Sequence, residues 1–426
     1  MQSLKEQTMS VQGIDVHVVK TTKYKTNTIV LLCKAPLEKE TVTKRALLPH
    51  VLQAGTENYP TRQRIRNELD ELYGASLSVD VQKKGENHIM MFKMEVANEK
   101  FLKDTSPLFE KAIALLAQVV LHPKKDNDQF DQTIVENEKR SLKQRIQSVY
   151  DDKMRYANLR ITEEMCKDEP FGLSVYGNEE SIDPVTPEQL YSYYQEFLHK
   201  DKIDLYVVGD VEETQVQDVT KQYFSFPEGD RKQTPEKDQQ QREIKEKEVF
   251  DKQDVKQGKL HLGFRTHTTF GDDDYFALQV CNGLYGGFSH SKLFINVREK
   301  ESLAYYAASR YESHKGILMV MSGIEFSNYE KAVSIIKEQM EEMKAGRFSE
   351  DEINQTKAMI KNQILETVDV PRALVELLYH NVVANKHRTI EEWLEGIDRV
   401  TKEDIQKSAE KIELDTIYFL KGKEEA

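Results

Sequence analysis

One seven-residue pattern occurs twice in this chain, and the repetition constrains the fold more than any other feature. Ile182-Asp183-Pro184-Val185-Thr186-Pro187-Glu188 returns as Ile397-Asp398-Arg399-Val400-Thr401-Lys402-Glu403, with five of the seven positions identical. A short amphipathic helix and then an apolar strand follow each copy. The first strand is Asp204-Leu205-Tyr206-Val207-Val208-Gly209, and the second is Thr416-Ile417-Tyr418-Phe419-Leu420. Thr186 and Thr401 are expected N-caps, because a hydroxyl there accepts from an amide of the first turn. The acid two places on, Glu188 or Glu403, suits the positive end of the helix. Recurrence ahead of the same helix–strand unit predicts an internal duplication. With 426 residues the chain exceeds what one core usually spans, so two domains are expected. Residues 228–249 are almost wholly polar and read as an exposed tether. The expected domains are therefore 1–227 and 250–426.

The element pattern of the first half is mixed. Residues 13–36 read as two strands, and Thr43 to Ala54 as a helix. Ile65, Leu69, Leu72 and Tyr73 form the stripe of a second helix. Leu77, Val79 and Val81 alternate with polar residues, as do Met90, Phe92, Met94 and Val96. With Lys84-Gly85 between them, they predict an antiparallel hairpin buried on one face. Long helices are expected near 107–121 and 127–166. Segregated strand and helix runs predict an α+β fold, each domain a mainly antiparallel sheet with helices on one face.

Charge excludes some functions. The net charge is −13, from 73 acidic against 60 basic residues, which argues against a nucleic-acid partner. No stretch approaches the roughly 18 apolar residues of a membrane span. The opening residues MQSLKEQTMSVQG lack the apolar core of a signal peptide. Cys33, Cys166 and Cys281 are widely spaced and match no zinc or redox motif. Buried free thiols and a cytoplasmic location are expected.

Two ordered sets of residues carry a family resemblance. Asp168-Glu169-Pro170-Phe171-Gly172, Gly177, Glu180-Ser181-Ile182, the Thr186 helix and Val207-Val208-Gly209-Asp210 form the first. Gly286-Gly287-Phe288-Ser289, Leu293-Phe294 and Val297-Arg298-Glu299-Lys300-Glu301-Ser302-Leu303-Ala304-Tyr305 form the second. Together they resemble the pitrilysin and mitochondrial processing peptidase family, the inverzincins, over nearly the whole chain. The resemblance implies two similar domains enclosing a cavity for an unfolded peptide.

Active members of that family carry H-x-x-E-H on the first helix. Histidines at i and i+4 share a helical face and ligate zinc, and the Glu serves as general base. Here the aligned stretch is Ala46-Leu47-Leu48-Pro49-His50, so only His50 remains. Pro49 lacks an amide hydrogen and either opens a helix or kinks one begun near Thr43. The distal carboxylate ligand is expected seven residues beyond the start of a Glu-Arg-like segment. That position is Arg145 if the register begins at Glu138, or Lys143 if it begins at Glu136. Either is a cation. His88, near the hairpin turn, is a conceivable substitute that no spacing demands. No metal, no cofactor and no catalytic residue are therefore expected.

Arg298 and Tyr305 match the pair that, in catalytic relatives, meets substrate and oxyanion at the site. They are the expected substrate-binding residues. The structural alternative pairs Arg298 with Glu301 on its own helix. Gly286-Gly287 either cradles an extended peptide or makes a tight turn before a helix capped by Ser289. The resemblance then implies an inactive homologue, the peptide-binding subunit of a two-chain zinc peptidase whose partner carries H-x-x-E-H. An active zinc peptidase with unorthodox ligands and a stand-alone peptide-binding or scaffold protein are the alternatives.

Overall fold

The computed structural model describes residues 4–103, 106–231 and 244–423. The chain divides into two compact units. The first takes Met1–Gln147, Leu173–Lys237 and Pro371–Glu376; the second takes Ser148–Gly172, Asp238–Val370 and Leu377–Ala426. In chain order the elements are β1 (Glu6–Val11), β2 (Ile14–Lys20), β3 (Thr26–Pro36), α1 (Val42–Ala54), α2 (Arg62–Glu71), β4 (Ser76–Lys84) and β5 (Asn87–Ala97). Next come α3 (Leu108–Leu121), the short hairpin β6 (Lys125–Asp126) and β7 (Gln129–Phe130), α4 (Gln132–Asp151) and α5 (Lys153–Met165). Then follow α6 (Pro187–Lys200), β8 (Lys202–Gly209), α7 (Glu213–Tyr223), β9 (Lys247–Gln253), β10 (Gly258–Arg265) and α8 (Tyr275–Asn282). The rest are β11 (Ala304–Glu312), β12 (Ile317–Ile324), α9 (Tyr329–Lys344), α10 (Glu350–Val368), α11 (Pro371–Val383), α12 (Ile390–Arg399), α13 (Lys402–Glu410) and β13 (Glu413–Gly422).

The first unit holds a six-stranded sheet in the order β1-β2-β8-β3-β5-β4. β2 and β8 run parallel, and every other neighbouring pair is antiparallel. The β1–β2 turn places both Gln12 (φ 49°) and Gly13 (φ 81°) in the left-handed region, as a tight two-residue hairpin requires. One sheet face, including Ile29, Leu31, Phe92, Met94, Leu205 and Val207, packs with α1, α3, α4, α6 and α7 in a single core. Six residues of the later chain join this unit: Glu376 pairs with Lys84 at 3.3 Å and Lys93 at 3.5 Å, and Arg372 with Glu95 at 3.1 Å.

The second unit holds five strands in the order β11-β12-β10-β13-β9. Here β13 and β9 are the parallel pair and the others are antiparallel. Apart from β1, the two sheets therefore share one strand order and one polarity pattern. β8 and β13, the strands that follow the repeated heptapeptide, occupy the same position in each. Thr186 and Thr401 cap α6 and α13 as expected, each in a capping box, with Gln189 and Asp404 returning the bond. The fold is the expected α+β pair of similar domains.

Several details differ from the sequence expectation. The single helix near 127–166 is two helices, because Asp152 leaves helical geometry (ψ 102°) and caps α5 by accepting from the amides of Met154 and Arg155. α5 belongs to the second unit, where Tyr156, Ala157 and Ile161 pack on Tyr418 and Leu420. Ile417 and Phe419 alternate with those residues and face the main core, so α5 covers the opposite face of that sheet. Strand β3 and residues 88–92 of β5 are buried on both faces, so the alternation does not mark a water-facing side. Tyr73 leaves the stripe of α2: it follows the helix with φ 58° and is exposed. Of the polar segment 228–249, residues 232–243 lie outside the described residues, and Lys247 to Val249 begin β9.

Candidate functional site

α1 carries Ala46 to His50, the stretch expected to align with H-x-x-E-H. It begins at Val42 and runs through Pro49 to Ala54, so the proline neither opens nor ends it. The ring lacks an N–H, so the carbonyl of Arg45 has no helical donor from position 49. Ala46 is fully buried and contributes no donor atom.

His50 is half-buried at the C-terminal end of α1. Burial first, then the nearby guanidiniums of Arg145 and Arg62, push its imidazole down to about 3. Of the two candidates for the distal position, Lys143 bonds Asp183 at 2.7 Å, and Arg145 is one of the two guanidiniums whose charge bears on His50. Glu138 is buried on α4 and accepts from Arg62 Nη2 at 2.6 Å. Burial raises its carboxyl above the ordinary range, against the opposing pull of Arg62 and Arg145.

These residues do not fit a zinc ion. One imidazole stands on α1 where two are required. The charges of Arg145 and Arg62 beside it oppose a dication, and the nearby carboxylate of Glu138 is engaged by Arg62. Among the described residues, no group of three His, Cys, Asp or Glu side chains is placed to hold a metal. His88 is buried in β5, where burial and Arg45 hold its imidazole well below the usual value.

Arg45, which the motif reading passed over, anchors α1. Its guanidinium is fully buried and donates to Asp201 Oδ2 at 2.8 Å, to Tyr193 Oη at 2.9 Å and to the carbonyls of Cys33 and His88. Arg62 was also missed. Its partner Glu138 lies 76 positions away, beyond any local spacing signal.

The second unit places Arg298 in a π-helical turn, Phe294–Lys300, with its guanidinium 4.6 Å from the Phe294 ring centre. It pairs loosely with Glu299 at 3.8 Å and not with Glu301, which Lys331 engages. Tyr305, on β11, is 66% exposed, and its hydroxyl donates to Glu325 Oε1 at 3.3 Å. The two glycines lie in another π-helical turn, Gly283–Gly287. A Cβ on Gly286 would stand 2.7 Å from the Ser309 amide nitrogen, so packing against β11 demands glycine there. Ser291, not Ser289, accepts from the first turn of the next helix, through Phe294 N.

The fold, two similar sheet-and-helix domains, is that of a metallopeptidase relative. The family described as "Insulinase (Peptidase family M16)" matches residues 46–179, and the "Peptidase M16 inactive domain" matches 184–360. The chain belongs to peptidase family M16. It is 56% identical over 414 residues to the "Probable inactive metalloprotease YmfF" of Bacillus subtilis (strain 168), covering 97% of both chains. A conserved protein from Enterococcus faecalis V583 has a similar structure, with TM-score 0.91, 36% identity and 99% of both chains covered. A peptidase M16 inactive domain from Pseudomonas fluorescens shares the fold at TM-score 0.82 and 18% identity, over 98% of both chains.

Proposed function

We propose that this chain is a non-catalytic M16 homologue that binds peptide and serves as partner subunit to an H-x-x-E-H-bearing relative. The observation that carries the reading is helix α1, which runs through Pro49 with Ala46 buried, so that His50 is the donor left of the H-x-x-E-H pattern. Ala46 and Pro49 supply neither a metal ligand nor a general base. The name of the Bacillus subtilis relative, a probable inactive metalloprotease, supports the same reading.

Peptide binding rests on Arg298 and Tyr305, both exposed in the second unit and only weakly engaged by their own chain. No helix of the described residues is long and apolar enough to cross a membrane, and the proposed location is the cytoplasm. Mixing the chain with an intact H-x-x-E-H homologue is the test. The mixture should co-elute in size-exclusion chromatography and cleave peptide faster than the homologue alone. Absence of both association and enhanced cleavage would leave a stand-alone peptide-binding protein as the better account.

A further inference from the structure

The first unit contains an open cavity of about 450 Å³ between the C-terminal end of α3, the β6–β7 hairpin and α6. That volume suits a small ligand. Its apolar floor comes from Tyr191, Tyr194 and Leu198, at i, i+3 and i+7 on one face of α6, and from Leu121, which ends α3. Phe130 meets both tyrosine rings edge-on, at 5.4 and 5.7 Å, and the Tyr194 hydroxyl donates to the Val120 carbonyl at 3.0 Å. The rings are therefore held by their own neighbours.

Two opposite charges stand at this cavity without closing on each other. Glu57 follows α1, and backbone bonds tie its segment to the one that carries Lys125. The Glu57 amide donates to the His122 carbonyl at 2.9 Å, and the Lys124 amide to the Gly55 carbonyl at 3.0 Å. Yet Lys125 Nζ lies 4.0 Å from Glu57 Oε1, and its contact with Tyr191 Oη is 3.5 Å long. Neither is the close contact of about 2.8 Å that a charge-assisted hydrogen bond makes. His122, His199 and Glu57 all line the cavity but are not placed to share a metal ion, so its chemistry suits an organic ligand. In an α-amino acid the ammonium nitrogen and a carboxylate oxygen lie roughly 3 Å apart. Set against the loose pair, such a zwitterion gives each side chain a close partner and closes a ring of alternating charges. His199 adds an acceptor: its Nδ1–H donates to the Glu228 carbonyl at 2.9 Å, which leaves Nε2 unprotonated in the neutral ring.

We propose that Lys125 and Glu57 bind the carboxylate and the ammonium of a free α-amino acid whose apolar side chain lies against Tyr191, Tyr194 and Leu198. The site is independent of the subunit reading above.

The test is isothermal titration calorimetry on the intact chain with L-phenylalanine, 3-phenylpropionate and phenethylamine. The three share one ring and carry both charges, the carboxylate alone and the ammonium alone. Phenylalanine should bind about tenfold or more tightly than either analogue. Glu57→Gln should remove its advantage over phenylpropionate, and Lys125→Gln its advantage over phenethylamine. Both side chains are about half exposed, at 49% and 41%, so neither substitution disturbs the core, and circular dichroism checks the fold. The variants read opposite ends of the ligand, so either one alone decides the matter. Equal affinity for all three ligands, phenylalanine binding that neither variant weakens, or no phenylalanine binding at millimolar concentration overturns the proposal. Each of these results leaves the subunit reading standing, because no partner chain takes part in the measurement.

Discussion

Arg45 on α1 and Asp201 at the end of α6 form an ion pair of 2.8 Å, with side-chain exposures of only 0% and 3%. The pair ties the helix that carries Ala46, Pro49 and His50 to the one that follows the first heptapeptide repeat. Burial, with a smaller push from Glu196, raises the Asp201 carboxyl, and the guanidiniums of Arg45 and Arg231 oppose this, leaving it at about 6. Three further acceptors, Tyr193 Oη and the carbonyls of Cys33 and His88, complete the bonding of the two terminal nitrogens of Arg45, while its buried Nε has no acceptor. Helix α1 is therefore anchored through its own buried charge.

Removing one partner leaves the other charge buried and unpaired. Arg45→Met is expected to destabilise the first unit by about 3–5 kcal/mol. Pairing it with Asp201→Asn should recover part of that loss. Urea unfolding of the single and double variants measures both, and a double variant no more stable than Arg45→Met would contradict the pairing.

His17 should make stability depend on pH. Burial would lower its imidazole, but Asp204 (3.2 Å) and Glu6 (2.7 Å) outweigh it and raise the value to about 9. A raised histidine stabilises fully below its unfolded value near 6.5 and loses that contribution as pH climbs through 9. We expect about 2–3 kcal/mol to disappear across this window. His17→Gln should flatten the profile there, as read by denaturant midpoints at each pH.

Gly286 is fixed by packing. An added Cβ would meet Ser309 Oγ at 2.5 Å and Leu293 Cδ1 at 2.8 Å. Gly286→Ala should cost about 1–3 kcal/mol, whereas Gly74→Ala, where a Cβ meets nothing within 4 Å, should suffer only from its φ of 72°. Thermal melting compares the two.

Metal binding should not return with the helix alone. Ala46→His with Pro49→Glu rebuilds H-x-x-E-H yet leaves Arg145 beside it, so zinc should remain substoichiometric. Adding Arg145→Glu supplies the third ligand and should bring zinc close to one equivalent by elemental analysis. Stoichiometric zinc in the unmodified chain, with chelator-sensitive cleavage, would refute the non-catalytic reading.

Arg298 and Tyr305 separate function from stability. Both are exposed, so Arg298→Ala and Tyr305→Phe should change unfolding free energy by less than about 0.5 kcal/mol. If they face peptide, Arg298→Ala should weaken peptide binding by about 1.5–3 kcal/mol. Unchanged binding in both variants would confine the pair to local roles.

Local chemistry made much of this molecule legible. The heptapeptide at Ile182 and Ile397, the caps at Thr186 and Thr401, and the hairpin around Gly85 depend on neighbours a few positions apart. So does the loss of donor atoms at Ala46 and Pro49, which no folding can reverse. The sequence by itself therefore determined the duplicated α+β plan and the family.

Other features depend on residues far apart in the chain, and only the tertiary structure decided them. Arg45 meets Asp201 across 156 positions and Arg62 meets Glu138 across 76, separations that carry no periodic signal. Helix α5 directly follows α4 in the chain, yet Tyr156, Ala157 and Ile161 pack on Tyr418 and Leu420 in the second unit. Arg145 and Lys143 both offered a cation at the distal position. Two residues apart on α4 they point about 200° apart, so only one could turn toward His50 while the other reached Asp183.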